Sequence, residues 1–277
     1  MFICQQIKTG NIIVINPIDG SPAAEQGIQS GDIITKVDGE PCKGEDITLV
    51  SNKIKGEEGT TVDLELIRGE QTIEKTITRR KVVIQDVISK VLDNNIGYIQ
   101  LISFDEMSSE NFEKAYNDLK SKGIKKLIID IRDNGGGIVS DATDIAGLFV
   151  PKGNTLMITE DKNGNKQVTK SERDNNNTMK VVLLVNGNSA SASEILTGAL
   201  KDNKAATIVG ETTFGKGVMQ EIFPIETGGA MKITIQEFKT PNGDTINKVG
   251  IKPDVEVLQP ADSKEDAQLN KAIELLK

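Results

Sequence analysis

Apolar and polar positions alternate with a period of two through the first eighty residues, and longer apolar runs at helical and buried-strand spacing take over afterwards. In the first stretch Ile12-Ile13-Val14-Ile15, Asp32 to Val37, Val62-Asp63-Leu64-Glu65-Leu66-Ile67 and Thr72 to Thr78 read as strands. The pairs Asp19-Gly20, Asp38-Gly39 and Arg68-Gly69 supply turns. Two short helices fit Pro22 to Gln26, with Ser21 as N-cap, and Asp46 to Ile54. The pattern predicts a small β-rich module over residues 1–80.

From Val82 the pattern changes. Ile96 to Ile102 reads as a buried strand, and Met107 to Ser121 as an amphipathic helix with Phe112, Ala115, Tyr116 and Leu119 on one face. Lys126 to Ile131 is a further strand, followed by a glycine loop and a helix reaching Phe149. Val181 to Val185 is an apolar strand that runs into a serine cluster, and Ala205 to Val209 another that runs towards a glycine-flanked lysine. Asn163-Gly164-Asn165 fits a hairpin turn, residues 231–238 alternate into a Pro241-Asn242-Gly243 turn, and the tail from Asp266 is an amphipathic helix through Leu269, Ile273 and Leu276. Strands alternating with helices predict an α/β core over residues 81–277, with its active groups on loops at strand ends.

Composition narrows the function. A chain of 277 residues holds two compact domains, and 37% hydrophobic with 27% charged residues fits a globular protein with a packed core. A net charge of -8 argues against general nucleic-acid binding, and 3% aromatic residues without tryptophan argue against stacking platforms. Two cysteines and no histidine exclude the common zinc sites, so no metal or other cofactor is expected. A Cys4–Cys42 disulfide is conceivable. No apolar run reaches membrane-spanning length and Met1 to Gln6 is not a signal peptide, so no membrane contact is expected from this chain itself. The chain begins inside a strand-like segment, from which an absent upstream portion is expected.

The absence of histidine also directs the chemistry. A serine nucleophile here needs a base other than imidazole, and lysine is the available substitute once desolvation disfavours its ammonium form. Ser189-Ala190-Ser191-Ala192-Ser193-Glu194 follows a buried strand and opens a helix-like run to Asp202, so free N–H groups at the helix start could stabilise an oxyanion. Serine–alanine repeats also simply start tightly packed helices. Lys216 stands between Gly215 and Gly217, near Phe214 and Val218; alone, such a lysine marks a surface turn or a phosphate contact. Gly210 to Lys216 has the G-x4-G-K spacing of a phosphate loop, but Gly217 stands where a metal-binding hydroxyl belongs and Glu211 would repel phosphate. Asp130-Ile131-Arg132-Asp133-Asn134-Gly135-Gly136-Gly137 directly follows a strand, and its glycines allow backbone N–H groups to face a substrate.

Two resemblances organise these pieces. Gly20-Ser21-Pro22-Ala23-Ala24-Glu25-Gln26-Gly27-Ile28-Gln29-Ser30-Gly31-Asp32-Ile33-Ile34, with Val37-Asp38-Gly39 after it, resembles the bacterial PDZ domain. The 130–137, 189–195 and 213–220 segments, in that order, resemble the carboxyl-terminal processing proteases of peptidase family S41. Thr240-Pro241-Asn242-Gly243 and Gly250-Ile251-Lys252-Pro253-Asp254 match that family's final segment.

The resemblance implies a fold of mixed α/β and β-rich class: an N-terminally truncated PDZ domain beside a ClpP/crotonase-like α/β protease core. It implies Ser191 as nucleophile, with Lys216 as general base 25 positions later, the family's spacing. It further implies Gln220 orienting the lysine, if a helix-like turn follows, and the amides of Gly136 and Ala192 as the oxyanion hole, with Gly137 possible by register. Ser189, Ser193 and Glu194 read as structural. In the PDZ domain Phe2, Ile3, Ile47 and Val50 are the expected peptide-binding residues, although the loop that normally holds the peptide carboxylate precedes the expected strand. The implied function is a serine endopeptidase that recognises free, apolar C-terminal tails of protein or peptide substrates and cleaves through an acyl-enzyme. The alternative is a catalytically silent PDZ scaffold, or a resting protease that needs a partner. The resemblance also implies a bacterial, extracytoplasmic or cell-envelope location, and a homodimer formed through an N-terminal segment.

Overall fold

The computed structural model describes residues 2–6, 9–18, 20–82, 86–174, 177–225, 229–260 and 265–277, with backbone alone at 2–5, 222, 224 and 232. The chain divides into two compact units, Met1–Ile84 and Gln85–Lys277.

The first unit is an antiparallel sheet in the spatial order Phe2–Gln5, Ile12–Asn16, Ile33–Val37, Thr61–Arg68, Gln71–Thr78, with the short strand Glu40–Pro41 beside Ile33–Val37. Alternation sends Val62, Leu64 and Leu66 inward, where they meet Ile12, Val14, Ile34, Val37 and Val50 in one apolar core. The helix Pro22–Glu25 starts on Ser21, whose hydroxyl accepts from the Ala24 amide, with proline at the first helical turn. Asp46 caps the helix Ile47–Ile54 by accepting from Thr48 N. Asp32, buried at the foot of a strand, is held by Arg68 at 2.7 and 2.8 Å. Cys42 is a free, buried thiol that donates to the Ile34 carbonyl, and burial pushes its pKa up.

The second unit is built on a six-stranded sheet in the order Val255–Glu256, Thr207–Gly210, Lys180–Val185, Lys126–Asp130, Ile96–Leu101, Val87–Leu92. Its neighbours are parallel except the last pair, which is antiparallel. Near-continuous apolar runs such as Val181 to Val185 fit strands covered on both faces. The helices Ser108–Ser121, Val139–Gly147 and Ala192–Asp202 pack into the core on one face, where Phe112, Tyr116 and Leu119 are buried. The helix Ala267–Leu276 covers the other through Ala272 and Leu276. A second, antiparallel sheet runs Lys166–Lys170, Thr155–Asp161, Ala230–Lys239, Val218–Pro224.

At the carboxyl end of Lys126–Asp130, a buried polar network replaces apolar packing. Arg132 forks onto Asp130 and Asp266, and Tyr98 donates its hydroxyl to Asp130 at 2.7 Å. These bonds tie the glycine loop's base to the cap of the C-terminal helix.

Candidate active site

Three adjacent parallel strands, Lys126–Asp130, Lys180–Val185 and Thr207–Gly210, end on the same edge of the sheet, and the loops that leave them carry the candidate residues. The loops are laced together. The Ala190 amide and the Ser193 hydroxyl both donate to the Asn134 carbonyl, at 3.0 and 2.8 Å. The Ser189 hydroxyl donates to the Ile131 carbonyl at 2.8 Å, and Phe214 N donates to Ser189 O at 3.0 Å. Asn186 and Asn188 donate their side-chain amides to Asp133 Oδ1.

This lacing separates the three serines. Ser189 and Ser193 are fully buried and their hydroxyls bond to the carbonyls of Ile131 and Asn134, whereas Ser191 is half-buried. Ser191 caps the helix Ala192–Asp202 with φ 58° and ψ −114°, a sparsely populated conformation for a residue with a Cβ. A serine on a positive-φ turn at the start of a helix that follows a strand resembles a nucleophile elbow.

One amide remains open beside it. Ala192 is the first residue of the helix, so its N–H has no intrahelical acceptor. Gly136 passes so close that a Cβ there would lie 2.8 Å from Ser191 Cβ and 2.9 Å from Ala192 N. In this structure the Gly136 N–H, the expected second donor, is donated to Asn134 Oδ1 at 2.9 Å. The Asn134 side chain, anchored through Nδ2 on the Leu101 carbonyl, turns that amide away from an oxyanion. Gly137, the alternative register, has an N–H without an acceptor among the described residues.

Lys216 is half-buried, on a strip whose glycines answer to a neighbouring segment. A Cβ on Gly217 would come within 2.5 Å of Asn247 N, and Lys248 N donates to Gly215 O at 2.7 Å. Among the described residues no hydrogen bond joins Lys216 Nζ to Ser191 Oγ. Gln220 is the residue expected to orient the lysine. It stands on the extended strand Val218–Pro224 rather than a helix-like turn, and its amide donates to Thr234 Oγ1 at 3.5 Å.

Sequence reasoning read Glu194 as structural and gave it no part in the site. Its fully buried carboxylate accepts from Ser191 N (3.0 Å) and Lys216 N (2.8 Å) on one oxygen, and from Gly215 N (2.7 Å) and Thr213 Oγ1 (2.6 Å) on the other. The signal was present: serine followed three residues later by glutamate at a helix start is a capping-box pattern.

In the first unit, Ile18, Ala23, Ile47, Ile54, Val62 and Ile77 line a cavity of about 690 Å³, rimmed by Lys55, Arg79 and Arg80. Ile47 therefore stands where a ligand could meet it. Val50 does not: the helical period turns it into the core, fully buried, which corrects its assignment. Phe2–Gln5 forms the edge strand of the sheet, and the side chains of Phe2 and Ile3 lie outside the described part.

Comparison with known proteins decides the family. Residues 95–257 match the model of peptidase family S41. The chain belongs to this family. Residues 13–68 match a PDZ domain. The chain is 40% identical over 254 residues to carboxy-terminal processing protease CtpA of Bacillus subtilis, covering 91% of this chain and 54% of that protein. It is 34% identical over 259 residues to CtpB of the same organism, covering 92% of this chain and 54% of that protein. Among solved structures, the photosystem II D1 C-terminal processing protease superposes with a TM-score of 0.63 at 30% identity, over 100% of this chain and 75% of that one. The expected pairing of a PDZ domain with an S41 core is thus borne out. The chain spans about half the length of the curated relatives it matches.

Proposed function

We propose that this chain carries a serine endopeptidase in which Ser191 is the nucleophile and Lys216 the general base. The observation that carries the reading is the contrast among the three serines. Ser191 alone is half-buried, on a strained elbow with the open Ala192 amide beside it, and its main chain is tied to that of Lys216.

The reaction is acyl transfer. Lys216, as the neutral amine, takes the Ser191 proton as Oγ attacks a peptide carbonyl. The oxyanion settles on the Ala192 and Gly137 amides, donors already fixed by the helix start and the glycine loop. The ammonium returns its proton to the leaving amine, and water then opens the acyl-enzyme by the same relay. Gln220 enters this scheme only where the strand Val218–Pro224 brings its amide to Lys216.

Recognition falls to the first unit. An apolar tail fits the cavity under the helix Ile47–Ile54, and its free carboxylate is expected at Lys55, whose Nζ makes no ion pair among the described residues. Substrates are then proteins with apolar C-termini. Among the described residues no helix is long and apolar enough to cross a membrane; the proposed location is outside the cytoplasm, and a homodimer belongs to the same proposal.

A serine-reactive fluorophosphonate tests the chemistry. Mass spectrometry is expected to find the adduct on Ser191, and Lys216→Ala to slow labelling at least 100-fold. Labelling of Ser189 or Ser193 instead would reject the assignment.

A further inference from the structure

The buried carboxylate of Glu194 has no cation among its partners. Its charge is met by three backbone N–H groups, one hydroxyl and the positive end of the helix on whose first turn it sits. Cap geometry alone accounts for the Ser191 bond. It does not account for the other three, which reach 19 to 22 residues along the chain to the lysine loop.

One oxygen, Oε2, accepts from both Ser191 N and Lys216 N, so these two nitrogens lie within about 6 Å of each other. Thr213, donating to Oε1, also accepts from Ile251 N at 2.8 Å, which extends the same network to the segment that backs Gly215. Nothing else described here joins the elbow to the lysine strip so directly. The adjacent bond, Phe214 N to Ser189 O, fixes the strip to the residue two before the nucleophile.

We infer that Glu194 is a positioning residue for the Ser191–Lys216 pair, acting through the two main chains rather than on the substrate. It holds the elbow and the lysine strip in one register. The same bonds exclude the Ser191 N–H from the oxyanion hole, because that donor is already spent on Oε2. This inference rests on the proposed Ser191–Lys216 chemistry.

The test compares the parent, Glu194→Gln and Thr213→Val, with Thr213→Ser as the conservative control, in cleavage of an unfolded reporter protein ending in an apolar tail. Active sites are titrated with a fluorophosphonate and folding is checked by circular dichroism and thermal midpoint. A glutamine amide keeps one acceptor oxygen but turns N–H groups towards two of the four donors. Misplacement of reacting groups by about 1 Å costs on the order of 100-fold in rate. The expectation is a kcat per titrated site lowered about 100-fold in Glu194→Gln with KM within about twofold, a smaller kcat loss in Thr213→Val, and recovery in Thr213→Ser. A cap that serves stability alone would lower the thermal midpoint and the titrated fraction and leave kcat per site at the parent value, which would overturn the inference. If Glu194→Gln does not fold, the Thr213 pair decides: an unchanged kcat in Thr213→Val overturns it. A parent that cleaves without dependence on Ser191 would instead defeat the underlying assignment, a separate result.

Discussion

Gly136 and Ser191 meet at a spacing that leaves no room for a side chain. A Cβ at Gly136 would sit 2.6 Å from the Ala190 carbonyl, and the residue has φ +96°, outside the range L side chains readily adopt. Gly136→Ala therefore strains the loop by about 1–3 kcal/mol and pushes on the nucleophile itself. Thermal unfolding and kcat are expected to fall together in that variant; an alanine variant with parent kcat would show that the loop does not shape the site. The same contact explains what could be read from the glycine run and what could not. That the loop faces the serine was legible in Asn134-Gly135-Gly136-Gly137 after a strand. Which amide is free was not, because it depends on Asn134 turning its carbonyl oxygen back onto Gly136, a tertiary choice that no spacing encodes.

Elements show the same division. Strands and helices were legible wherever burial imposes a period: Val62, Leu64 and Leu66 inward in one strand, Phe112, Tyr116 and Leu119 along one helix. Val218–Pro224 was not legible as a strand, because Gln220 invited a helical reading, and it is the hairpin pairing with Ala230–Lys239 that makes it extended. Val50 failed at the opposite end, since a helix beside a cavity does not announce which of its faces turns inward. In the first unit, the Asp32–Arg68 pair fixes two strands at their ends and gives a pH prediction. Hydrogen bonds from Arg68 hold the Asp32 carboxyl below its ordinary value against the opposing effect of burial. A depressed folded pKa means that this stabilisation is complete above the unfolded carboxylate range and is lost as pH falls through the lower, folded value. Urea midpoints of the parent should fall on acidification below about pH 4, and Arg68→Ala should flatten that dependence while lowering stability at neutral pH. An equally steep acid limb in Arg68→Ala would assign it to other carboxylates.

At the scale of the whole molecule the chain divides into two units, and the proposed function assigns tail recognition to Met1–Ile84 and peptide hydrolysis to Gln85–Lys277. Recognition has its own test. Peptides with a free carboxylate after an apolar residue should bind the parent, and either amidation or Lys55→Glu should weaken binding at least tenfold by fluorescence anisotropy; equal affinity for the amidated peptide would remove the carboxylate from the account. Both domains could be read from sequence because their motifs are contiguous runs, whereas the Glu194 network joins residues brought together only by folding. The Ser191–Lys216 assignment is the claim on which the rest depends, and one comparison addresses it most directly: cleavage of an unfolded reporter protein with an apolar C-terminus by the parent, Ser191→Ala and Lys216→Ala, each shown to be folded. Fragments from the parent, with a loss of at least 1,000-fold in both variants, are the expected result. Cleavage by Ser191→Ala at the parent rate would contradict it.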